Sequence, residues 1–338
     1  MNNYLIFRTD RIGDYIFSQI LINSITRNDK KSRIYLVASN KNFFYANRFR
    51  NVYKVLLFKK NLIIILKLFF FLRRVNFKKI IVLDGKRRSY LFSLFLVKSK
   101  KIALIKNNFL IFLSRIFFIK YFVNQENTPL INSLKKILKE LNFNLSIKDL
   151  NIHQKYVFKK ELDWQFLRRG KNNLNLHIDE KWFTKFYYKD YTNIDLNYKK
   201  LILFLKFIIK NFKCNIIITT GFIDLPIIKS IKKNFYKSHK DVYFKDFFNH
   251  RVFFHDKLNF LDLENIIRLS KYLICCEGSI SHLSYSFKIK TFALIEKKRE
   301  TFYQHWTAHM GDNIKLIYRS NILQIIEQIR RNIKFFKN

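Results

Sequence analysis

Tyr4-Leu5-Ile6-Phe7 passes directly into Arg8-Thr9-Asp10-Arg11-Ile12-Gly13-Asp14 and then into the apolar-spaced stretch Tyr15–Thr26. A short run of β-type side chains, a polar turn and a helix-period pattern together open a strand–turn–helix unit. The same alternation continues outward. Arg33–Val37, Val52–Phe58, Lys79–Leu83 and Lys101–Ile105 are predicted strands, with helices over Leu62–Arg73 and Ser89–Val97. Strands alternating with crossover helices predict a parallel sheet. The polar stretch Arg168-Arg169-Gly170-Lys171-Asn172-Asn173 interrupts this pattern near the middle of the chain, and a domain boundary between 168 and 169 is expected there.

After it the alternation restarts. Leu174–Ile178, Asn215–Thr219, Arg251–Phe254, Tyr272–Cys276 and Thr291–Ile295 are predicted strands. Tyr198–Asn211, Leu225–Lys237, Leu261–Ser270 and Ser281–Phe287 are predicted helices. The expected fold is α/β, with two Rossmann-like doubly wound domains, 1–168 and 169–338, facing a cleft at the C-terminal ends of their strands.

With 338 residues, 49% of them hydrophobic, the chain can bury two cores, which excludes wholesale disorder. Lys and Arg number 65 against 24 Asp and Glu, a formal charge of +41. Such a field selects phosphates, anionic lipid or nucleic acid as a class of partner, although a codon bias towards Lys, Asn, Ile and Phe would raise it equally. The cysteines, Cys214, Cys275 and Cys276, have no metal-ligand spacing, so a reducing compartment and no metal or cofactor are expected. No secretory signal is readable after Met1, and the apolar segment Leu62–Leu72 contains Lys67 and is too short to span a bilayer. A cytoplasmic protein is expected, associated at most peripherally with the inner face of the membrane.

Asp14 falls at the start of the first helix, where it reads equally as a cap or as a general base at a sheet edge, with Gly13 allowing a tight turn. His177-Ile178-Asp179-Glu180-Lys181-Trp182 follows the first strand of the second domain. Lys181 there reads as a surface lysine or as the counter-charge to a diphosphate, and Trp182 as a packing anchor. Cys275-Cys276-Glu277-Gly278-Ser279-Ile280-Ser281-His282 is a strand, a small-residue turn and a helix start. Free backbone N–H groups at such a turn hold anions. Ser279 or Ser281 can cap, Glu277 can meet sugar hydroxyls, and His282 reads either as a packed helix residue or as a substrate contact. Thr220 and Gly221 end another strand on the same edge.

In order and spacing these pieces resemble glycosyltransferase family 9, the bacterial lipopolysaccharide heptosyltransferases. The likeness runs from the Gly13-Asp14 turn through Lys181-Trp182 to the acidic-small-small-x-x-His stretch at Glu277–His282. The sequence departs from the family pattern in placing Glu277-Gly278-Ser279 where Asp, Ser or Thr, and Gly are usual, and Phe183 where proline is common. The resemblance implies a GT-B fold and metal-independent, inverting transfer of a sugar, a heptose, from an ADP-linked donor to a lipopolysaccharide core or other lipid-linked or oligosaccharide acceptor. It implies Asp14 as base, Arg11 and Gly13 at the acceptor, and Lys181, Thr220, Gly221, Glu277, Gly278, Ser279 and His282 at the donor. The other classes in view are a basic nucleic-acid-binding protein and a non-catalytic membrane-surface protein. No nucleic-acid-binding motif is present, and specific nucleic-acid binding is not expected. Lys98–Lys120, in which Lys100, Lys101, Lys106, Arg115 and Lys120 interrupt Leu, Ile and Phe, is the candidate segment for an anionic membrane surface.

Overall fold

The computed structural model describes residues 1–96, 99–105, 108–117, 119–123, 128–152, 172–221, 223–239, 241–256 and 258–337. The chain divides into two compact units, Met1–Lys159 and Lys160–Asn338. The boundary expected at 168/169 lies outside the described residues.

The first unit runs β1 (Asn2–Phe7), α1 (Ile12–Asn28), β2 (Ser32–Ala38), α2 (Phe43–Ala46), β3 (Lys54–Leu57), α3 (Leu62–Arg73) and β4 (Phe77–Val82). It continues with α4 (Arg87–Leu94), β5 (Lys100–Ile105), α5 (Asn108–Ile116), β6 (Lys120–Val123) and α6 (Leu130–Glu140). All pairings are parallel, in the order β3-β2-β1-β4-β5-β6. Tyr4, Leu5, Ile6 and Phe7 of β1 are all fully buried, because helices cover both faces of a parallel sheet and the strand therefore reads as an unbroken apolar run. Helix α1 is tied down at its far end by the buried carboxylate of Asp149. That group accepts from Ser24 Oγ at 2.9 Å, Arg27 Nε at 2.9 Å and the Ser146 N–H at 2.8 Å.

Two expectations need correction in this unit. Gly13 lies inside α1 and does not take a left-handed conformation, so the turn after β1 does not depend on it. Lys98–Lys120 is not one amphipathic segment. Of its described residues, Lys100–Ile105 form an inner strand of the sheet and Asn108–Ile116 a separate helix, while Lys98 and Lys106 lie outside the described residues.

The second unit runs β7 (Asn173–Ile178), α7 (Tyr198–Phe212), β8 (Asn215–Thr220), α8 (Pro226–Asn234), β9 (Tyr236–His239), β10 (Val242–Phe247) and β11 (His250–His255). After these come α9 (Phe260–Arg268), β12 (Tyr272–Cys276), α10 (Ser279–Ser286), β13 (Lys290–Ile295), α11 (Glu300–Thr307), β14 (Ile314–Tyr318), α12 (Ile322–Arg331) and α13 (Lys334–Lys337). The sheet order is β14-β13-β12-β7-β8-β11-β10-β9, parallel from β14 to β11 with β10 and β9 added antiparallel. The helix expected over Leu225–Lys237 is therefore shorter, since Tyr236 and Lys237 belong to the edge strand β9. Both sheets are doubly wound, as the sequence pattern predicts. Trp182 is fully buried and its indole N–H donates to the His177 carbonyl at 3.0 Å, so it is the packing anchor that the sequence suggested.

The core of this unit holds His177 with Nδ1 3.0 Å from Thr219 Oγ1. Burial pushes its pKa from 6.5 down to about 4, with Asp179 opposing the shift and Lys181 adding to it. Burial also lowers His255 and His309. A histidine whose folded pKa lies below its unfolded value is protonated first in the unfolded chain, so its stability contribution is complete above about pH 6.5 and declines as pH falls towards 4. The urea midpoint is therefore expected to drop between pH 6.5 and 4.5, with His177 alone contributing up to about 1.4 kcal/mol per pH unit within that window. A flat midpoint over the range would mean that the folded state accepts these protons.

Candidate functional site

In the second unit the strand order reverses between β7 and its neighbour β12: from β7 the chain moves to β8, and later it returns to pair β12 on the other side. At such a switch point the connections leave to opposite faces and uncover the strands' C-terminal ends. Asp179, which follows β7, caps the short helical turn Glu180–Trp182 by accepting the Lys181 N–H at 3.1 Å. That turn sends the Lys181 side chain across to the end of β12, where Nζ donates to the Glu277 carbonyl at 2.9 Å and lies 3.5 Å from Asp179 Oδ2. Burial alone would lower the lysine's pKa, but Asp179 and Glu277 outweigh it and raise the value, so the ammonium stays charged. Lys181 is not a surface lysine, since only 17% of its side chain is exposed.

Gly278 makes this crossing possible. Its φ of +156° lies outside the range L side chains favour, and a Cβ there would overlap Lys181 Nζ. Gly221, at the end of β8, is similarly closed in, since a Cβ at that position would stand only 2.9 Å from Glu180 Oε2. Helix α10 starts at Ser279, and Ser281 is the capping residue, its Oγ accepting the Gly278 N–H at 3.2 Å and donating to the Gly278 carbonyl at 2.8 Å. Lys181, Gly221, Glu277, Gly278 and Ser279 are thus brought to one sheet edge, with Thr220 buried beneath it. His282 is buried with Nε2 3.5 Å from Glu277 Oε1, and it stacks on His309 and meets Trp306 edge-on. Among the described residues, neither ring nitrogen of His282 nor Glu277 Oε1 has a hydrogen-bond partner.

Sequence reading missed Arg319, which follows β14. Its buried guanidinium donates to the Lys181 carbonyl, to the Thr192 carbonyl at 3.2 Å and to Cys276 Sγ at 3.3 Å. Glu296, after β13, takes the Thr192 N–H at 2.7 Å and Oγ1 at 3.0 Å. Arg319 and Glu296 together pin the chain around Lys181 and Thr192 to the same edge. A charged residue directly after each of two predicted or predictable strands was the available signal.

In the first unit the switch point lies between β1 and β4. Arg8, buried at the end of β1, donates to the Asp14 carbonyl at 3.1 Å and the Leu83 carbonyl at 2.7 Å, and its guanidinium lies 3.3 Å from Asp10 and 3.7 Å from Asp14 Oδ1. Lys86, after β4, reaches back to Asp10 Oδ1 at 2.7 Å and the Thr9 carbonyl at 2.7 Å. Asp84 beneath it accepts from the Thr9 and Ser89 hydroxyls, each at 2.6 Å. Asp14 accepts the Arg11 N–H at 3.3 Å through Oδ2 and keeps 28% of its side chain exposed. It is therefore a cap through Oδ2, while Oδ1 faces the Arg8 guanidinium. Arg11 is exposed and Gly13 buried. Asp10 and Lys86 were not singled out from the sequence, although both flank predicted strands.

Among the described residues no cluster of three or more His, Cys, Asp or Glu is arranged to hold a metal ion, and no helix is long and apolar enough to cross a membrane.

No family model matches the sequence, and no curated protein does. Solved structures do match along its length. The E. coli heptosyltransferase WaaC with ADP has a TM-score of 0.67 at 11% identity, covering 98% of this chain and 99% of that one. The E. coli ADP-heptose LPS heptosyltransferase II has a TM-score of 0.64 at 12% identity, covering 98% of each chain. A glycosyl transferase family 9 protein from Veillonella parvula follows at 0.62 and 11%, covering 98% and 89%. The UDP-GlcNAc 2-epimerase of Methanocaldococcus jannaschii shares the architecture at a TM-score of 0.55 and 11% identity, covering 98% and 92%. The fold is thus the GT-B fold of these enzymes.

Gly278→Ala tests the Lys181 crossing. The far end of a lysine moves easily, so the stability loss is expected to be only the backbone part, about 1–3 kcal/mol. A crystal structure of the variant is expected to show Nζ withdrawn from the Glu277 carbonyl. An unmoved Nζ would show that the glycine is dispensable for this contact.

Proposed function

We propose that the protein is an inverting glycosyltransferase of the heptosyltransferase type, carrying a sugar from an ADP-linked donor to a lipopolysaccharide core or related glycolipid. The observation that carries this reading is the charged Lys181 ammonium held at the β7/β12 switch point beside the start of α10. Anions bind where helix N–H groups and a fixed cation converge. The fold likeness supports it, being closer to the heptosyltransferases than to the epimerase.

In this reading the donor diphosphate meets Lys181 and the N–H groups at Ser279 and Ile280. Gly278 and Gly221 line the donor edge by admitting the Lys181 and Glu180 side chains beside it. Glu277 accepts from sugar hydroxyls, with His282 beside its buried Oε1. Asp14 takes the proton from the acceptor hydroxyl through Oδ1, with Arg11 and Gly13 at the acceptor side. The hydroxyl oxygen bonds to C1 of the sugar as the bond from C1 to the diphosphate oxygen breaks, which inverts C1 and releases the nucleoside diphosphate. Lys181 stabilises the charge that accumulates on the leaving group, so the step requires no metal ion. A lipid-linked acceptor places the reaction at the cytoplasmic face of the membrane.

ADP release from ADP-heptose in the presence of core glycolipid is the direct test, and no acceptor-dependent release with any nucleotide sugar would overturn the reading. Asp14→Asn is expected to keep donor binding while turnover falls by about two to four orders of magnitude. Activity within a few-fold of the parent would leave Asp14 as a cap only. Lys181→Ala is expected to weaken donor binding about ten- to a hundredfold, the loss of one charge-assisted contact. Isothermal titration with ADP measures it, and an unchanged affinity would remove Lys181 from the donor site.

A further inference from the structure

The connections β3→β4, β4→β5 and β5→β6 all run in one direction across the first sheet. Right-handed crossovers therefore set α3, α4 and α5 side by side on one face. Their inner sides share a single core, with Leu68, Leu72, Tyr90, Phe92 and Leu110 packed on Phe7, Val82 and Ile105. Neighbouring helices touch. Phe69 of α3 meets Phe92 of α4 at 6.2 Å between ring centroids, and Tyr90 OH lies 2.7 Å from Ser114 Oγ of α5.

The outer side of this layer is also apolar. Along α3, a twelve-residue helix with only Leu68 and Leu72 buried, Ile63, Leu66 and Phe70 stand 63%, 45% and 56% exposed at helical spacing. Phe95 at the end of α4 is 68% exposed, and Phe112 and Ile116 of α5 are 61% and 50% exposed. An amphipathic helix of a soluble protein turns its polar side outward, and large apolar side chains exposed together on one layer mark a contact surface. Exposed cations lie among these side chains: Lys67 and Arg73 on α3, Arg87 at the start of α4 and Arg115 on α5. From Lys30 to Gln125 the sequence holds a single acidic residue, Asp84, and that one is buried.

We propose that the α3–α4–α5 face docks on an anionic lipid bilayer, its Ile, Leu and Phe side chains entering the headgroup–acyl boundary and its Lys and Arg pairing with lipid phosphates. Apolar side chains interleaved with cations are what such an interface selects. A second copy of the chain fits poorly, because stacking this face on itself sets cations against cations with no carboxylate between them. Nucleic acid would satisfy the cations and gain nothing from Ile63, Leu66 or Ile116. The placement also serves the site. Helices α3, α4 and α5 begin at the C-terminal edge of the sheet, the edge that carries Asp10 and Asp14, and Lys86 at the start of α4 is bonded to Asp10. A lipid-borne hydroxyl would arrive at that edge. The proposal extends the membrane part of the function proposed above, but vesicle binding needs neither donor nor acceptor, so the two ideas fail separately.

Co-sedimentation of the full-length protein tests it, using vesicles of phosphatidylcholine alone and of phosphatidylcholine mixed with phosphatidylglycerol. Binding to the mixed vesicles is expected at 0.1 M salt and should weaken at 1 M, as the Debye length falls from about 10 Å to about 3 Å. The variant Ile63→Ser/Leu66→Ser/Phe95→Ser/Phe112→Ser is expected to melt like the parent and to bind at least about tenfold more weakly. A charge variant, Lys67→Glu/Arg73→Glu/Arg115→Glu, is expected to lose the preference for phosphatidylglycerol. Lys199→Glu/Lys206→Glu/Lys210→Glu, which makes the same charge change on α7 of the other unit, should retain it. Equal binding to both lipid compositions, parental binding by either first-unit variant, or an equal loss in the α7 variant would overturn the proposal. So would a parent dimer, seen by sedimentation velocity, that the serine substitutions dissolve.

Discussion

Everything chemical in this protein is arranged by one topological constraint, the reversal of strand order inside each parallel sheet. A crossover helix normally covers the gap between adjacent strands, but where successive connections depart to opposite faces the gap at the C-terminal edge stays open. In the first unit that gap lies between β1 and β4, and Arg8, Thr9 and Asp10 from one side meet the Leu83 carbonyl, Asp84 and Lys86 from the other. In the second it lies between β7 and β12, and Asp179 and Lys181 meet Glu277 and Gly278. The residues in each group are distant in sequence, and only the reversal makes them neighbours.

Charge so close to a core must be compensated locally, because an unpaired ion away from water is far more costly than one on the surface. The two switch points follow that rule despite the chain's formal charge of +41. Arg8 is shared between two carboxylates, and Arg319 is met by three backbone or sulfur acceptors and Glu296. Exposed cations lie elsewhere, on helices, strands and loops. In the first unit they surround the apolar outer side of α3, α4 and α5, where no exposed acid dilutes them.

The sheets were legible from the sequence because buried parallel strands are nearly continuous apolar runs, and Tyr4–Phe7 and Tyr272–Cys276 are of that kind. Edge strands are not. Tyr236–His239 is polar enough to extend the helix before it on paper, and it becomes a strand only by pairing with β10. The glycines misled in one instance and informed in another: Gly13 is an ordinary helical residue, whereas Gly278 holds a backbone that a side chain would strain and crowd. Pairings such as Lys86 with Asp10 or Arg319 with the Lys181 carbonyl join residues 76 and 138 positions apart, and no local pattern can announce them. What the sequence could offer was the kind of position, a charged residue just beyond a strand, and that signal was taken up at Lys181 and Glu277 but passed over at Arg319 and Glu296.

The two lysines at the switch points are held in chemically different ways. Lys86 lies 2.7 Å from both the Asp10 carboxylate and the Thr9 carbonyl, contacts that join the ends of β1 and β4. The shortest contact of Lys181 is with a neutral carbonyl, that of Glu277 at 2.9 Å, while the Asp179 carboxylate stands off at 3.5 Å. A neutral acceptor fixes an ammonium in place without neutralising it. The Asp179 carboxylate offsets part of its charge, and the N–H groups at the start of α10 lie at the same end of β12. Preorganised positive charge of this kind needs no rearrangement when negative charge develops beside it. Under the proposed function, the longer ion pair with Asp179 is what suits Lys181 to a leaving group, whereas Lys86 is bound into the junction of β1 and β4.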